Sequence, residues 1–353
     1  MNSLLLTIVV FIAILGLLIF VHEFGHFIVA KLLGVKVEEF AFGFPPRLIS
    51  IKRKDTRYSI NAIPLGGYVK LYGEEEELKK PGSFYYKPVI SRIAIVVAGV
   101  IMNFLLAIIL MTIGFSVGMT PLVSDPATLA GQKESKVMIT YVAPDSPAAK
   151  AGLTNGVILN GFASVTDLQQ FTQSHIGQAV TLSTEKNGQK ENLDLTLSQD
   201  EEGPLGVGVI SITKVKQNVF QAAWTSVKEV GLVMKTLVVF LYDIIKNIFT
   251  TGKAGPQAEG VAGPVGLFNF TGEAIKIGWI YVLQLVALLS VNLGIINILP
   301  FPALDGGKIT FLALEGIFRK KVIRQEIENI IHLVGFAILI LLMVAITYRD
   351  VVH

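Results

Sequence analysis

The chain begins with an apolar segment that leads directly into a metal-binding pattern. Residues 3–21 contain no charged side chain, and the next five are His22-Glu23-Phe24-Gly25-His26. About 20 apolar residues, at ~1.5 Å rise each, span the hydrocarbon core of a bilayer, so this run predicts a transmembrane helix. Ionisable side chains at membrane depth cost free energy and are retained mainly for function. Their presence at the end of this run therefore needs an explanation.

The five residues match the pattern H-E-x-x-H of zinc-dependent proteases. A helix places His22 and His26, four residues apart, on one face, where both imidazoles can bind a zinc ion. Glu23 would then act as general base on a water molecule. A match of this length also occurs by chance, but the apolar setting favours a metal site. The chain has no cysteine, which excludes thiolate ligands, thiol nucleophiles and disulfides.

Composition agrees with a membrane protein. Of the 353 residues, 52% are hydrophobic and only 16% are charged, and the mean hydropathy is +0.61. Ordinary globular chains carry about 25% charged residues. The net charge of +3 is too small to indicate a nucleic-acid partner. Because a basic n-region and an A-x-A cleavage site are both missing, we expect the first apolar segment to be an uncleaved span.

A second motif lies near the end of the chain. A third apolar segment, about residues 277–299, ends in the run N-I-L-P-F-P-A-L-D-G-G, from Asn297 to Gly307. Prolines break a helix, and a broken backbone at membrane depth is tolerated only where protein or a wet cavity surrounds it. Catalytic zinc takes three protein ligands and keeps an open position. Asp305 is therefore the best-placed third ligand, and the alternative is a solvated aspartate in a helix-terminating turn.

The segments between these motifs predict three further features. Residues 34–72 alternate in polarity and carry turn signals, which indicates short strands that either offer an edge to an extended substrate or form a structural hairpin. Glu74–Glu77 is typical of a solvated turn. Asn103, within a second span, indicates a helix-to-helix hydrogen bond. His332, in a fourth span, indicates a packing or interfacial role.

Residues 122–215 return to a polar composition and are long enough for one small domain. The run V-A-P-D-S-P-A-A-K-A-G-L at residues 142–153 resembles the PDZ signature of bacterial membrane and HtrA-type proteases. Asn160-Gly161, Thr166-Asp167-Leu168 and Leu205-Gly206-Val207 follow in the PDZ order. One departure is that the G-D-x-I stretch before the N-G turn is shortened and lacks its aspartate.

The two motifs in this order, over essentially the whole chain, resemble the site-2 protease family of intramembrane zinc metalloproteases. The order of segments is similar to the branch of the regulator-of-sigma-E protease, with a single PDZ unit. The resemblance implies that His22, His26 and Asp305 bind Zn²⁺ and that Glu23 activates water. It also implies that Asn297 holds the substrate backbone or its oxyanion. Gly66, Gly67 and Tyr68 would belong to the β-loop that receives the substrate.

The predicted fold class is a polytopic α-helical membrane protein with about four transmembrane helices, a membrane-associated β-loop and an inserted α+β PDZ-like domain. The expected segments are the first helix at 1–33, the cytoplasmic β-rich loop at 34–88, the second helix at 89–120, the PDZ-like domain at 121–213, amphipathic helices and linker at 214–264, the third transmembrane region at 265–307, a cytoplasmic loop at 308–327 and the fourth helix at 328–353. Within the linker region, residues 230–245 can be either interfacial or embedded.

Basic residues predict the orientation. The segment from Lys31 to Arg92 holds 12 Lys and Arg residues, and that from Lys308 to Arg324 holds five. The positive-inside rule places both in the cytoplasm and the PDZ-like domain outside, in the inner membrane of a bacterium.

The expected function is hydrolysis of peptide bonds within or near the transmembrane segment of a single-pass protein. By resemblance, such substrates are anti-sigma factors or remnant signal peptides. The expected partners are this substrate, the lipid bilayer and a peptide ligand of the PDZ-like domain, without nucleic acid. One alternative is a non-catalytic, PDZ-bearing membrane scaffold, which would need no intact zinc triad. Another is a transporter or channel with a broken third helix, which predicts inverted repeats that the two halves do not show.

Overall fold

The structure is a computed structural model that describes residues 3–74, 78, 80–186, 189–199, 203–253, 255 and 261–352. Within these residues there are nine α-helices. They are α1 (Ser3–Leu32), α2 (Val89–Val117), α3 (Pro147–Lys150), α4 (Val165–Ser174), α5 (Val219–Thr251), α6 (Pro264–Ile277), α7 (Trp279–Ile298), α8 (Asp305–Phe318) and α9 (Gln325–Val352).

Four of the described helices, α1, α2, α7 and α9, are long and apolar enough to cross a membrane. This confirms the expectation of a multi-pass membrane protein with about four spans. Helix α1 runs on to Leu32, so the H-E-x-x-H motif lies inside the helix and not at its end. Helix α5 is a single continuous element of 33 residues and is not among the four.

The chain divides into two compact units. The first contains Met1–Leu110, Val230–Gly272 and Leu285–His353, and the second contains Met111–Glu229 and Glu273–Gln284. The first unit holds both sequence motifs and the predicted β-rich loop. The range of the second unit covers the whole of the predicted PDZ-like segment, residues 121–213.

In the first unit, the predicted β-rich loop forms two long strands, β1 (Val37–Arg53) and β2 (Thr56–Leu71). Both strands bend, and residues 39–42 of β1 pair with two different stretches of β2. Residues 47–53 pair with 56–61, while residues 37–42 pair with 67–71 and also lie beside 57–60. The far end of this ribbon is apolar and open, because Leu48, Ile49 and Ile51 are each more than 60% exposed.

In the second unit, five strands form one sheet in the order β6-β5-β4-β3-β7. The strands are β3 (Gln132–Val142), β4 (Ile158–Leu159), β5 (Ala179–Lys186), β6 (Gln189–Thr196) and β7 (Val207–Lys216). Alternating residues of β3 and β5, including Val137, Ile139 and Leu182, are buried in a single apolar core. Ser164 and Asp167 form a capping box that starts α4 against this core.

A buried carboxylate joins α5 to the segment that precedes the five-stranded sheet. Glu229 is fully buried, and its side chain accepts hydrogen bonds from the backbone N–H groups of Leu122, Val123 and Ser124. The Ser124 hydroxyl also donates to it. Because a buried charge is tolerated when its lone pairs are satisfied, these four donors explain why an acidic residue occupies this position.

Candidate active site

Three side chains from opposite ends of the chain converge in the first unit. His22 and His26 lie on one face of α1, and Asp305 is the first residue of α8. The two Nε2 atoms are 3.2 Å apart, and Oδ2 of Asp305 lies 3.1 Å from Nε2 of His22 and 3.4 Å from Nε2 of His26. The structure thus brings together the three residues that the sequence predicts as metal ligands.

The spacing of these three atoms matches a tetrahedral zinc site. Ligand atoms about 2.0–2.2 Å from a tetrahedral zinc ion lie about 3.3–3.6 Å from one another. The three measured separations approach these values. In addition, Oδ2 of Asp305 is buried and has no hydrogen-bond partner. A carboxylate oxygen in that position, facing two imidazole nitrogens, fits a bound cation.

Helix α2 supports both imidazoles from behind. Nδ1 of His26 lies 2.9 Å from the carbonyl oxygen of Ile95, an acceptor, so Nδ1 carries the proton and Nε2 is free. Gly25 and Gly99 bring the two helices together, since a Cβ at Gly25 would lie 2.4 Å from the carbonyl oxygen of Ala98. A Cβ at Gly99 would lie 2.4 Å from Nε2 of His26. Any side chain at these two glycines would therefore push α2 away from the histidines.

The amide of Asn103, also on α2, contacts His22. Its Nδ2 lies 3.1 Å from Nδ1 of His22, while its buried Oδ1 has no hydrogen-bond partner. Turning the amide over places Oδ1 next to His22, where it accepts a hydrogen bond from Nδ1–H and leaves Nε2 free for a metal. The sequence predicts only a helix-to-helix hydrogen bond for Asn103. The sequence showed a strongly polar residue inside an apolar helix, but only the folded structure shows that the partner of Asn103 is His22.

The turn before Asp305 folds tightly onto the start of α8. A Cβ at Gly306 would lie 2.1 Å from the carbonyl oxygen of Leu299, and one at Gly307 would lie 2.5 Å from that of Phe301. The two glycines after Asp305 are therefore required by close backbone approach. This contact sets where α8 begins and so where Asp305 points.

The second half of β2 lies against Glu23. The Glu23 carboxylate is hydrogen-bonded to the backbone of Val69, and a Cβ at Gly67 would lie 3.3 Å from Cγ of Glu23. Residues 67–71 pair with β1 on one side only, and no other described strand pairs with them. The predicted substrate-receiving residues Gly66, Gly67 and Tyr68 thus lie on, or next to, a strand edge beside the predicted general base.

Asn297 lies near the same centre. Its Nδ2 atom is 3.4 Å from Nε2 of His22. Helix α7 ends one residue later at Ile298, so the broken backbone begins where Asn297 reaches the histidines. An amide N–H here can donate a hydrogen bond into the space between the three ligand atoms.

An ion pair holds the far side of the Asp305 helix. The amine of Lys308 donates to the carboxylate of Glu74, which follows β2, and lies over the ring of Phe84. Burial alone lowers the pKa of Lys308, but the Glu74 carboxylate outweighs this effect, so the pKa is raised and the amine stays charged. The prediction of a solvated turn is therefore wrong for Glu74. Its partner Lys308 is 234 residues away in sequence, so the local run of glutamates could not indicate this ion pair. Residues 75–77 lie outside the described residues.

Comparison with known proteins identifies the family. The sequence pattern of Peptidase family M50 matches residues 10–342. A protein of Clostridium acetobutylicum that is named as a zinc metalloprotease is 35% identical over 352 residues, which cover 98% of this chain and 97% of that protein. A protein of Fusobacterium nucleatum with the same kind of name is 33% identical, with 98% of each chain covered. The zinc metalloprotease RasP of Shouchella clausii is 29% identical, also with 98% of each chain covered. The chain belongs to peptidase family M50, the site-2 protease family, and is a zinc metalloendopeptidase of the membrane.

Proposed function

We propose that His22, His26 and Asp305 bind the catalytic zinc and that Glu23 is the general base. We further propose that the enzyme cleaves single-pass membrane proteins within or near their transmembrane segments. The observation that carries this proposal is the triangle of ligand atoms, with edges of 3.1, 3.2 and 3.4 Å, beside a glutamate and a free strand edge.

The residues divide the chemistry among themselves. His22, His26 and Asp305 would hold the zinc ion, which would supply a Lewis acid for the scissile carbonyl and for a water molecule. Glu23 takes a proton from the attacking water and returns it to the leaving amine, so that one peptide bond and one water give a carboxylate and an amine. Asn297 donates a hydrogen bond to the carbonyl oxygen as negative charge develops on it.

The edge at residues 67–71, where no other described strand pairs and Val69 is hydrogen-bonded to Glu23, would present the substrate to Glu23. Peptide bonds in a helix are shielded by their own hydrogen bonds, so a transmembrane substrate must unwind before hydrolysis. An extended segment that adds to this edge exchanges those bonds for backbone bonds to β2. Gly67 keeps the edge close to Glu23, because it has no side chain to stand between the strand and α1.

The positive-inside rule supports an orientation with the β1–β2 ribbon and the loop after α8 in the cytoplasm. In this orientation the PDZ-like domain is extracytoplasmic, in a bacterial inner membrane. The proposed substrates by resemblance, anti-sigma factors or remnant signal peptides, would then be cut near the cytoplasmic side.

The zinc site can be tested with three substitutions. Because His22 and Asp305 each supply one ligand, we expect His22→Ala and Asp305→Ala to lose zinc and cleavage together. Glu23→Gln should keep about one zinc per chain and lose about 10²–10⁴-fold in kcat on a model transmembrane substrate. Zinc content by elemental analysis and cleavage by gel would be measured on the same preparations.

Glu273→Gln is the matched control, because this carboxylate is more than half exposed and forms an ion pair with Lys276 on its own helix. It should behave like the wild type. Zinc retained at full stoichiometry in Asp305→Ala would mean that the third ligand is another residue.

Asn103 should set the affinity for zinc through His22. Asn103→Leu removes the acceptor for Nδ1–H, and we expect the zinc affinity to fall about 10–100-fold. Asn103→Asp keeps an acceptor oxygen in place and should stay near the wild type. Competition with a chelator measures both values. Ser116→Ala, on the same helix, is the control, and equal affinities for Asn103→Leu and the wild type would rule out the orienting role.

Gly67 tests the substrate edge. Gly67→Val places methyl groups against Ile19 and Glu23, so we expect kcat/KM to fall at least about tenfold while zinc content is unchanged. Gly231→Ala is the matched control, since a Cβ at that glycine meets no atom within 4 Å. Unaltered kcat/KM in Gly67→Val would show that substrate does not use this edge.

We also propose that the PDZ-like domain binds a peptide at the groove between α4 and β7. Strand β7 is the edge of its sheet, and a cavity of about 120 Å³ lies between it and residues Leu168, Gln169 and Thr172 of α4. An extended peptide could add to β7, as it does in PDZ domains.

In the full chain, Val209→Asp should weaken binding of a fluorescent apolar peptide with a free C-terminus, because it places a charge in this groove. Fluorescence polarisation measures the affinity. Equal binding by Val209→Asp and the wild type would locate the peptide elsewhere.

A further inference from the structure

The turn that carries Asp305 has very few backbone donors. Between Leu299 and Leu304, Pro300 and Pro302 have no N–H, so Phe301 and Ala303 are the two donors of the broken segment. The N–H of Phe301 is satisfied locally by the carbonyl oxygen of Leu299. The N–H of Ala303 also needs an acceptor, because at membrane depth there is no bulk water to supply one.

That partner is a side chain from another helix. The N–H of Ala303 donates to Nδ1 of His332, on α9, at 2.9 Å. Because Nδ1 is the acceptor, the imidazole carries its proton on Nε2. The ring of Phe311, on α8, lies 5.7 Å away in an edge-to-face contact, which orients the imidazole from the other side.

Ala303 has an unfavourable backbone conformation. Its φ is +75°, in the left-handed region that is unfavourable for residues with a Cβ. Such a conformation persists where the surroundings hold it, and it is concentrated at functional sites. Ala303 is two residues before Asp305, so a change at Ala303 moves the start of α8.

Close packing also restrains the turn between Leu299 and Leu304. Gly335, one turn after His332 on α9, lies so close to Pro302 that a Cβ there would be 2.5 Å from its ring. On the opposite side, Gly306 and Gly307 press against the carbonyl oxygens of Leu299 and Phe301. The turn is therefore held between α9 and the first residues of α8, and His332 supplies a polar contact from α9 to it.

We propose that His332 is a positioning residue for Asp305, which holds Ala303 in its left-handed conformation through this hydrogen bond and so sets the carboxylate for zinc. This inference rests on the proposed role of Asp305 as a zinc ligand. His332 does not contact the ligand atoms, and its effect reaches them through the turn.

The test compares zinc affinity and kinetics in three variants of the full chain in detergent. His332→Leu removes the acceptor and should lower zinc affinity about 10–100-fold, with kcat reduced at saturating zinc and KM within about twofold. His332→Asn keeps an acceptor at the position of Nδ1 and should restore most of the affinity. In the double variant His332→Leu/Ala303→Gly, glycine adopts the left-handed conformation without help, and affinity should recover in part.

Leu333→Ala, the exposed neighbour on α9, is the control and should match the wild type. A purely structural role would lower the thermal stability of the zinc-free protein and leave zinc affinity unchanged. That pattern, or wild-type affinity in His332→Leu, would overturn the inference. If His332→Leu does not fold, His332→Asn decides, because wild-type affinity and kcat are expected there and a tenfold loss in that folded variant contradicts the proposal.

The same measurements keep this inference separate from the proposed function. Loss of zinc in Asp305→Ala together with unaltered affinity in His332→Leu would reject only the role of His332. Zinc retained in Asp305→Ala would reject the ligand assignment itself.

Discussion

The candidate active site depends on placing two imidazoles and one carboxylate within about 3.4 Å of each other at membrane depth. A lone carboxylate would be unstable in such surroundings, because burial removes its hydration and the lipid offers nothing in exchange. A divalent cation reverses this balance, since it attracts all three groups at once. The geometry of the first unit is organised to bring these groups together, although Asp305 is far from the histidines in sequence.

Close approach of backbone segments at glycine residues helps to bring these groups together. Glycines at positions 25 and 99 let α2 lie against α1, which brings a carbonyl oxygen to His26 and an amide to His22. Gly306 and Gly307 let the proline-containing turn fold back onto α8. Gly67 lets a strand edge reach Glu23. In each case a missing side chain allows a polar backbone or amide group to approach the catalytic centre, where water is scarce and fixed dipoles act strongly.

Much of this candidate site could be predicted from the sequence, because the proposed ligands lie in two short motifs with strict spacing. His22 and His26 are four residues apart in a long apolar helix. Asp305 follows two prolines, Pro300 and Pro302, which are unusual in a transmembrane helix because proline interrupts its hydrogen bonds. The four transmembrane spans could be predicted equally well, since their length and apolarity are local properties of the sequence. The extent of the strands was harder to predict. Residues 37–53 and 56–71 contain glycines and prolines that indicate several short strands, yet they form two long bent ones, in which residues 39–42 pair with two different stretches of β2.

The sequence by itself determined the membrane setting and the family, and it supplied the proposed metal ligands and the proposed general base. These follow from residue identity and from local patterns, namely the four-residue spacing of His22 and His26, which a helix converts directly into geometry, the motif that contains Asp305, and the long apolar runs. Only the tertiary structure decided which groups support that chemistry. Asn103 beside His22, Lys308 beside Glu74 and His332 beside Ala303 are pairs separated by 81, 234 and 29 residues. Nothing in a local pattern encodes such contacts, because they depend on how whole helices and strands pack after the chain has folded.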